Sequence, residues 1–281
     1  MGLRQKPSRR RERYSPRHTF QRWPSGDRIV SRDVSTLAGS DPRPVAKAAV
    51  LRPRDAATLI LVDGSNGPPR FLFGKRRMDM KFMPGKYVFP GGRVDRVDRT
   101  VSCGDDLAER ELSRLLVDMK GAASLVRARA LALAAVRETY EEAGIVIGRP
   151  SAGQTPPADG SWQRFYATGF VPSLAQIAFF ARAITPPGRP RRFDTRFFCV
   201  DARAITFRGP PPEDELSDLV WLDLTEARGL DLPPITRVIL EDLGDRLKAG
   251  PLVASDAPVP YYYNRRGTFK RELIGDGPSA A

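Results

Sequence analysis

Arg137-Glu138-Thr139-Tyr140-Glu141-Glu142-Ala143-Gly144-Ile145 closes a stretch in which apolar residues recur at three- and four-residue spacing. Leu125, Ala128, Leu131 or Ala132, Ala135 and Val136 form the apolar face, so Ala122 to Ala143 is expected to be one helix with Gly144 as its C-terminal stop. On such a helix Glu138, Glu141 and Glu142 stand at i, i+3 and i+4, and their carboxylates share a face. Three acids so placed repel one another unless something positive sits among them. Mg²⁺ or Mn²⁺ suits this oxygen-rich setting and leaves room for waters and phosphates. One ion can neutralise a pyrophosphate, and another can activate or position an attacking water. By itself, a row of glutamates is also what a solvated helix face presents.

Upstream, Ala56–Val62 is a compact apolar run ending at Asp63-Gly64, and Arg70–Gly74 reads as its hairpin partner. Tyr87-Val88-Phe89 is a short strand that enters Pro90-Gly91-Gly92. Downstream, Phe165–Val171, Ile177–Ile184, Thr195–Val200 and Trp221-Leu222 read as strands. Thr225–Ala227 and Ile235–Leu247 read as helices, the second opening after Pro233-Pro234. Asp194–Phe198 reads as an edge near a pocket, and Tyr261–Phe269 reads as a hairpin. Strands on both sides of one central helix, with another helix near the end, predict a mixed α/β sandwich.

The chemistry open to this chain is narrow. His18 is the only histidine and lies in the basic start, so a Ser-His-Asp set or a histidine-ligated zinc has nothing to be built from in the folded part. Cys103 and Cys199 are too few for a disulfide framework, and the pair suits a reducing cytoplasm. No run of apolar residues is long enough to span a bilayer. The net charge of +13 is uneven: residues 1–32 hold ten Lys/Arg against Glu12 and Asp27. The excess therefore belongs largely to an arm, residues 1–44, expected to be solvated and disordered. It leaves a nucleic-acid partner open but does not demand one.

The residues from Arg137 to Ile145, read with Gly92-Arg93-Val94-Asp95-Arg96-Val97-Asp98, resemble the two halves of the Nudix box, G-x5-E-x7-R-E-U-x-E-E-x-G-U. The family glutamate falls on Asp98, and Thr139 stands where the family has an aliphatic residue. Thirty-eight residues separate Asp98 from Arg137 where the family has seven, an insertion of about thirty over 99–129. Insertions here are a feature of the branch that includes peroxisomal-type coenzyme A diphosphatases. Lys81–Gly92 also looks like that branch's approach to the box, with Lys81 where its motif has arginine.

The resemblance implies a Nudix-type α/β/α sandwich over residues 45–248, followed by a tail, 249–281, that carries the hairpin. It implies that Glu138, Glu141 and Glu142 ligate Mg²⁺ or Mn²⁺, that Arg137 orients the site, and that Gly91 and Gly92 shape the loop beside it. Lys81 would meet substrate. Glu138 or an acid of the later loop (Glu213, Asp214, Glu215 or Asp218) would serve as general base, with Glu215 favoured by its spacing to Trp221. The expected reaction is attack of water on a nucleotide-linked diphosphate, with coenzyme A or an acyl derivative as substrate. ADP-ribose, a dinucleotide or a nucleoside triphosphate is the alternative, and a non-catalytic nucleotide- or RNA-binding protein is the other class. A homodimer is left open.

Overall fold

The computed structural model describes residues 51–158, 160–250 and 257–275. The basic arm and the expected onset of structure near Val45 lie outside the described residues. Strands β1 (Arg54–Asp63), β2 (Arg70–Arg76), β3 (Tyr87–Val88) and β4 (Gly91–Arg93) come first, followed by helices α1 (Glu109–Leu116) and α2 (Leu125–Ala143). Then come β5 (Ile145–Pro150), α3 (Gly160–Ala167), β6 (Phe170–Pro172), β7 (Ala178–Ile184), β8 (Phe193–Asp201) and β9 (Ile205–Arg208). β10 (Leu216–Leu222), α4 (Leu224–Arg228), α5 (Pro234–Ala249), β11 (Val259–Arg265) and β12 (Thr268–Ile274) complete the described chain.

Side chains along β1 alternate between two cores. Ala57, Leu59 and Leu61 join the core under α1, α2 and α3, whereas Ile60 and Val62 join the core under α4 and α5. A strand apolar on both faces needs a layer on each, and this makes the α/β/α sandwich. The described residues form a nine-stranded sheet in the order β10-β2-β1-β8-β7-β11-β12, with β3 on β2 and β4 on β1. β1 with β8 and β7 with β11 are parallel, the other pairs antiparallel, so the sheet is mixed. A second, three-stranded sheet, β6-β5-β9, lies beyond the end of α2.

Two elements differ from expectation, and a third segment had none. Residues 165–167, expected to begin a strand, close helix α3 instead; Trp162, Phe165 and Tyr166 stand at i, i+3 and i+4 and bury one face in the core. Their aromatic character suits a strand equally well, and only the period separates the two. β8 is a central strand rather than an edge, and its Asp194 and Arg196 turn inward to near-complete burial. The box insertion, to which the sequence pattern assigns no element before Ala122, is structured. It carries α1, and its Leu107, Leu112, Leu115, Leu116 and Met119 pack into the α2 core. α2 itself begins at Leu125, with the Ser124 hydroxyl accepting from the Arg127 N–H at 3.4 Å, so its first turns fall within the stretch read as inserted.

Arg182 pins the far end of the insertion. Its guanidinium donates to Val117 O and Asp118 O, both at 3.1 Å, and to Asp194 Oδ2 at 2.7 Å. Tyr261 stacks on that guanidinium at 4.5 Å and donates to Asp118 Oδ2 at 3.1 Å. The C-terminal hairpin thus continues the main sheet through the β7–β11 pairing, and its Tyr261 and Tyr262 are buried in packing rather than displayed for stacking on a base. No helix among the described residues is long and apolar enough to cross a membrane.

Candidate active site

The C-terminal half of α2 delivers the acids. Arg137 is almost wholly buried, and every nitrogen of its guanidinium is engaged. Nε and Nη2 donate to the two oxygens of Asp98 at 3.0 and 3.2 Å, a bidentate pair. Nη1 donates to Glu138 Oε1 at 2.9 Å and to Glu141 Oε2 at 2.7 Å, and Nη2 also reaches Arg93 O at 2.9 Å. Asp98 is fully buried and further accepts from the Trp162 indole N–H at 2.9 Å and the Asp95 N–H at 2.8 Å. The segment before the insertion and the segment after it are therefore joined by one buried ion pair. Thr139 keeps its hydroxyl satisfied inside the helix by donating to Ala135 O at 2.7 Å, so a polar residue occupies this buried position without an orphaned group.

Strand β4 lies against the same helix face. The Gly91 N–H donates to Glu142 Oε2 at 2.8 Å. A Cβ at Gly92 would collide with the Glu138 carboxylate, and one at Gly91 would collide with the backbone of β1 at Ala57 and Thr58. Both glycines are required by close approach. Gly144, at φ 66°, ends α2 in the left-handed region, and a Cβ there would strike Gly209 O. Through the bonds Gly209 N–H to Gly144 O and Glu213 N–H to Glu141 O, both 2.9 Å, the loop before β10 is held against the end of the helix.

The four loop acids separate into two sets. Glu213 shares Arg164 with Glu141: Arg164 Nη2 lies 3.3 Å from Glu213 Oε1 and 3.4 Å from Glu141 Oε1. Glu215 pairs with Arg76 at 3.5 Å and adds to the negative field at Glu142. Asp214 instead pairs with Arg77, and Asp218 with Lys75 at 3.9 Å, both on the outer side. Lys81 is exposed and makes no hydrogen bond or ion pair to these acids. The inner cation on that side is Arg76, which donates to Phe82 O at 2.9 Å.

No family model matches the chain. Its sequence is 26% identical to the acyl-coenzyme A diphosphatase NUDT19 of Gallus gallus, in a match covering 62% of each chain. The human protein of that name is 28% identical, in a match covering 63% of this chain and 60% of its own. The matches thus span less than two thirds of these relatives' length. The crystal structure of a NUDIX hydrolase from Alicyclobacillus acidocaldarius superposes with a TM-score of 0.50 at 27% identity, covering 69% of this chain and 91% of that one. The chain is thus similar in sequence to Nudix hydrolases and shares the fold of one of them. Asp98 bound to Arg137 joins, across the insertion, the two segments that resemble the halves of a Nudix box.

Around this box, negative charge exceeds positive. Burial pushes the Glu138 carboxyl up to about 7, reinforced by Glu141 and opposed by Arg137. Glu142 is held well above the usual carboxylate range by burial and then by Glu138, with the Gly91 N–H opposing. Glu213 is raised by burial, Glu141 and Glu215. Arg137 is held above its ordinary range: burial disfavours its charge, but the bonds to Asp98 and the field of the glutamates outweigh that. Among the described residues no three acid, histidine or cysteine side chains already converge as a cage. The donors present are nonetheless all carboxylate and backbone oxygen, in surplus negative charge, which fits a hard divalent cation and not a soft one.

A sign follows for pH. Glu138 is protonated more readily folded than unfolded, so its contribution to stability is full below about pH 4.5 and is lost as pH rises through about 7. In metal-free buffer the melting temperature of the wild type, minus that of Glu138→Gln, is expected to fall between pH 5 and 8. A flat or rising difference would remove Glu138 as the titrating group.

The sequence reading did not find Trp162 or Arg164. Both lie on α3, next to a segment read as a strand, and no spacing ties them to the box. The aromatic period of three and four over Trp162–Tyr166 was the available signal.

Proposed function

We propose that the chain is a metal-dependent hydrolase of nucleotide-linked diphosphates, with coenzyme A or an acyl-coenzyme A as its leading substrate. The observation that carries the chemistry is the carboxylate cluster of Glu138, Glu141 and Glu142 packed against Gly91-Gly92 with Arg137 as its buried cation. The box insertion and the likeness to acyl-coenzyme A diphosphatases support the substrate class.

In this reading Glu138, Glu141 and Glu142 hold Mg²⁺ or Mn²⁺, which when bound supplies charge neutralisation at the diphosphate and acidifies water. Arg137 has no donor to spare for a ligand, so it acts by fixing the directions of Glu138 and Glu141. Gly92 leaves Glu138 room that any side chain would fill, and Gly91 lies close enough to β1 for its N–H to hold Glu142. Glu215 stands beside Glu142 at the mouth of the site and is 42% exposed, able to accept the proton of the attacking water. Arg76 at that mouth, with Lys81 further out, offers positive charge to an incoming phosphate. Cys103 and Cys199 are free thiols whose pKa values burial raises, as suits an unreactive pair in a reducing cytoplasm.

The test is hydrolysis of coenzyme A, an acyl-coenzyme A, ADP-ribose, a dinucleotide and a nucleoside triphosphate, with Mg²⁺ or Mn²⁺ and with chelator. Cleavage of a phosphoanhydride that stops on chelation is expected, fastest for the coenzyme A substrates. Inertness across the panel, with RNA or nucleotide bound instead, would mark a binding protein.

A further inference from the structure

Two arginines contact the box acids, and they differ in what they have left to give. Arg137 is 3% exposed and donates five hydrogen bonds within the protein. The Arg164 side chain is 48% exposed. Its contacts to Glu141 and Glu213 both come from Nη2, at 3.4 and 3.3 Å, long for charge-assisted bonds. Among the described residues Nε and Nη1 donate to nothing. Its backbone, by contrast, is fixed. Trp162, Phe165 and Tyr166 bury the inner face of α3, and the Tyr140 hydroxyl donates to Arg164 O at 3.1 Å. A rigidly mounted, loosely held guanidinium thus stands at the open side of the carboxylate cluster, between the helix and the loop before β10.

We propose that Arg164 is a substrate-binding residue that grips the diphosphate of the ligand. The inference rests on the diphosphatase reading for the ligand's class, and on the structure for the residue. A guanidinium recognises two phosphate oxygens through parallel N–H bonds, and Arg164 is the cation at Glu141 that still has such a pair to offer. Its contact with Glu213 gives binding a second consequence: as the guanidinium turns to the phosphates, Glu213 is released from it. Arg76 pairs with Glu215 and acts on Glu142, so the diphosphate would meet a second guanidinium there. Lys81, placed further out, is not needed for that grip.

The experiment compares wild type, Arg164→Lys and Arg164→Met in two independent readouts. The first is calorimetric binding of inorganic pyrophosphate in the presence of Mn²⁺. The second is steady-state hydrolysis of the best substrate of the panel. Arg164→Met is expected to weaken pyrophosphate at least tenfold and to lower kcat/KM by a similar factor, mainly through KM. Arg164→Lys is expected to recover part of the binding but not all, because a point charge replaces a fork. Mn²⁺ affinity measured alone, by electron paramagnetic resonance, is expected to stay within about threefold, which separates a phosphate contact from a disturbed metal site. Equal pyrophosphate affinity in wild type and Arg164→Met overturns the inference, as does a wild type that binds none. If the wild type binds pyrophosphate through Arg164 yet cleaves nothing, this inference stands and the hydrolase reading falls.

Discussion

Glu141→Gln is expected to lower kcat/KM by about 10²–10⁴-fold, the range typical of removing one group that acts in the transition state. It should leave a folded protein. Glu141 is 2% exposed and takes Arg137 Nη1 at 2.7 Å on one oxygen and Arg164 Nη2 at 3.4 Å on the other. Glutamine keeps the shape and one acceptor, but its NH₂ must face one of two guanidinium groups. That conflict costs about 1–3 kcal/mol of stability. It is offset in part because one negative charge leaves a crowded cluster. The activity loss, at about 1.4 kcal/mol per tenfold, amounts to roughly 3–6 kcal/mol of transition-state stabilisation. The two effects are separable by measuring the melting temperature without metal alongside kcat/KM and Mn²⁺ affinity with it. Wild-type turnover in a Glu141→Gln protein would remove the carboxylate cluster from the chemistry.

How much of this was legible from the residues alone depends on how far apart in the chain the cause lies. The period of α2, its stop at Gly144 and the shared face of Glu138, Glu141 and Glu142 are local and were readable directly. So were β1, β2, β7, β8, α5 and the Tyr261–Phe269 hairpin, each bounded by its own turn residues. The parallel pairing of that hairpin with β7 was not readable, because nothing in either strand names a partner some eighty residues away. The same limit hid Arg182, whose role is to hold Val117 and Asp118 against the sheet. Asp98 was reachable through the resemblance, since the box motif supplies a long-range pairing that periodicity cannot. Glu215 was reached by spacing to Trp221, and it does stand at the cluster, but so does Glu213, which the spacing did not prefer. Arg164 had no motif and no neighbour in sequence to point to it. Side chains that act across the fold from an unremarkable helix are where sequence reasoning stops.

Asp98→Ala should destabilise the protein by about 3–5 kcal/mol, because it leaves Arg137 as a buried cation short of its bidentate partner. For a domain of this size that is a fall of roughly 10 °C in melting temperature. The loss has three parts in the structure: the Arg137 pair at 3.0 and 3.2 Å, the Trp162 N–H at 2.9 Å and the Asp95 N–H at 2.8 Å. Trp162→Phe removes only the second and is expected to lose about 1 kcal/mol from the hydrogen bond, plus what the smaller ring leaves unfilled. Asp98→Asn keeps the volume but has a single acceptor oxygen, so it can keep the Trp162 bond at Oδ1 or the Asp95 bond at Oδ2 and not both, and it takes away the charge that Arg137 faces. If the ion pair is what joins the two halves of the box, Asp98→Asn must resemble Asp98→Ala and not Trp162→Phe in chemical denaturation. If it resembles Trp162→Phe, the join is made by packing of the insertion instead. That outcome has a physical route, since α1 already buries Leu112, Leu115 and Leu116 against α2 and could hold the segments together unaided. The ion pair would then matter only for where Arg137 aims Glu138 and Glu141, and Asp98→Asn would lose turnover while keeping its melting temperature.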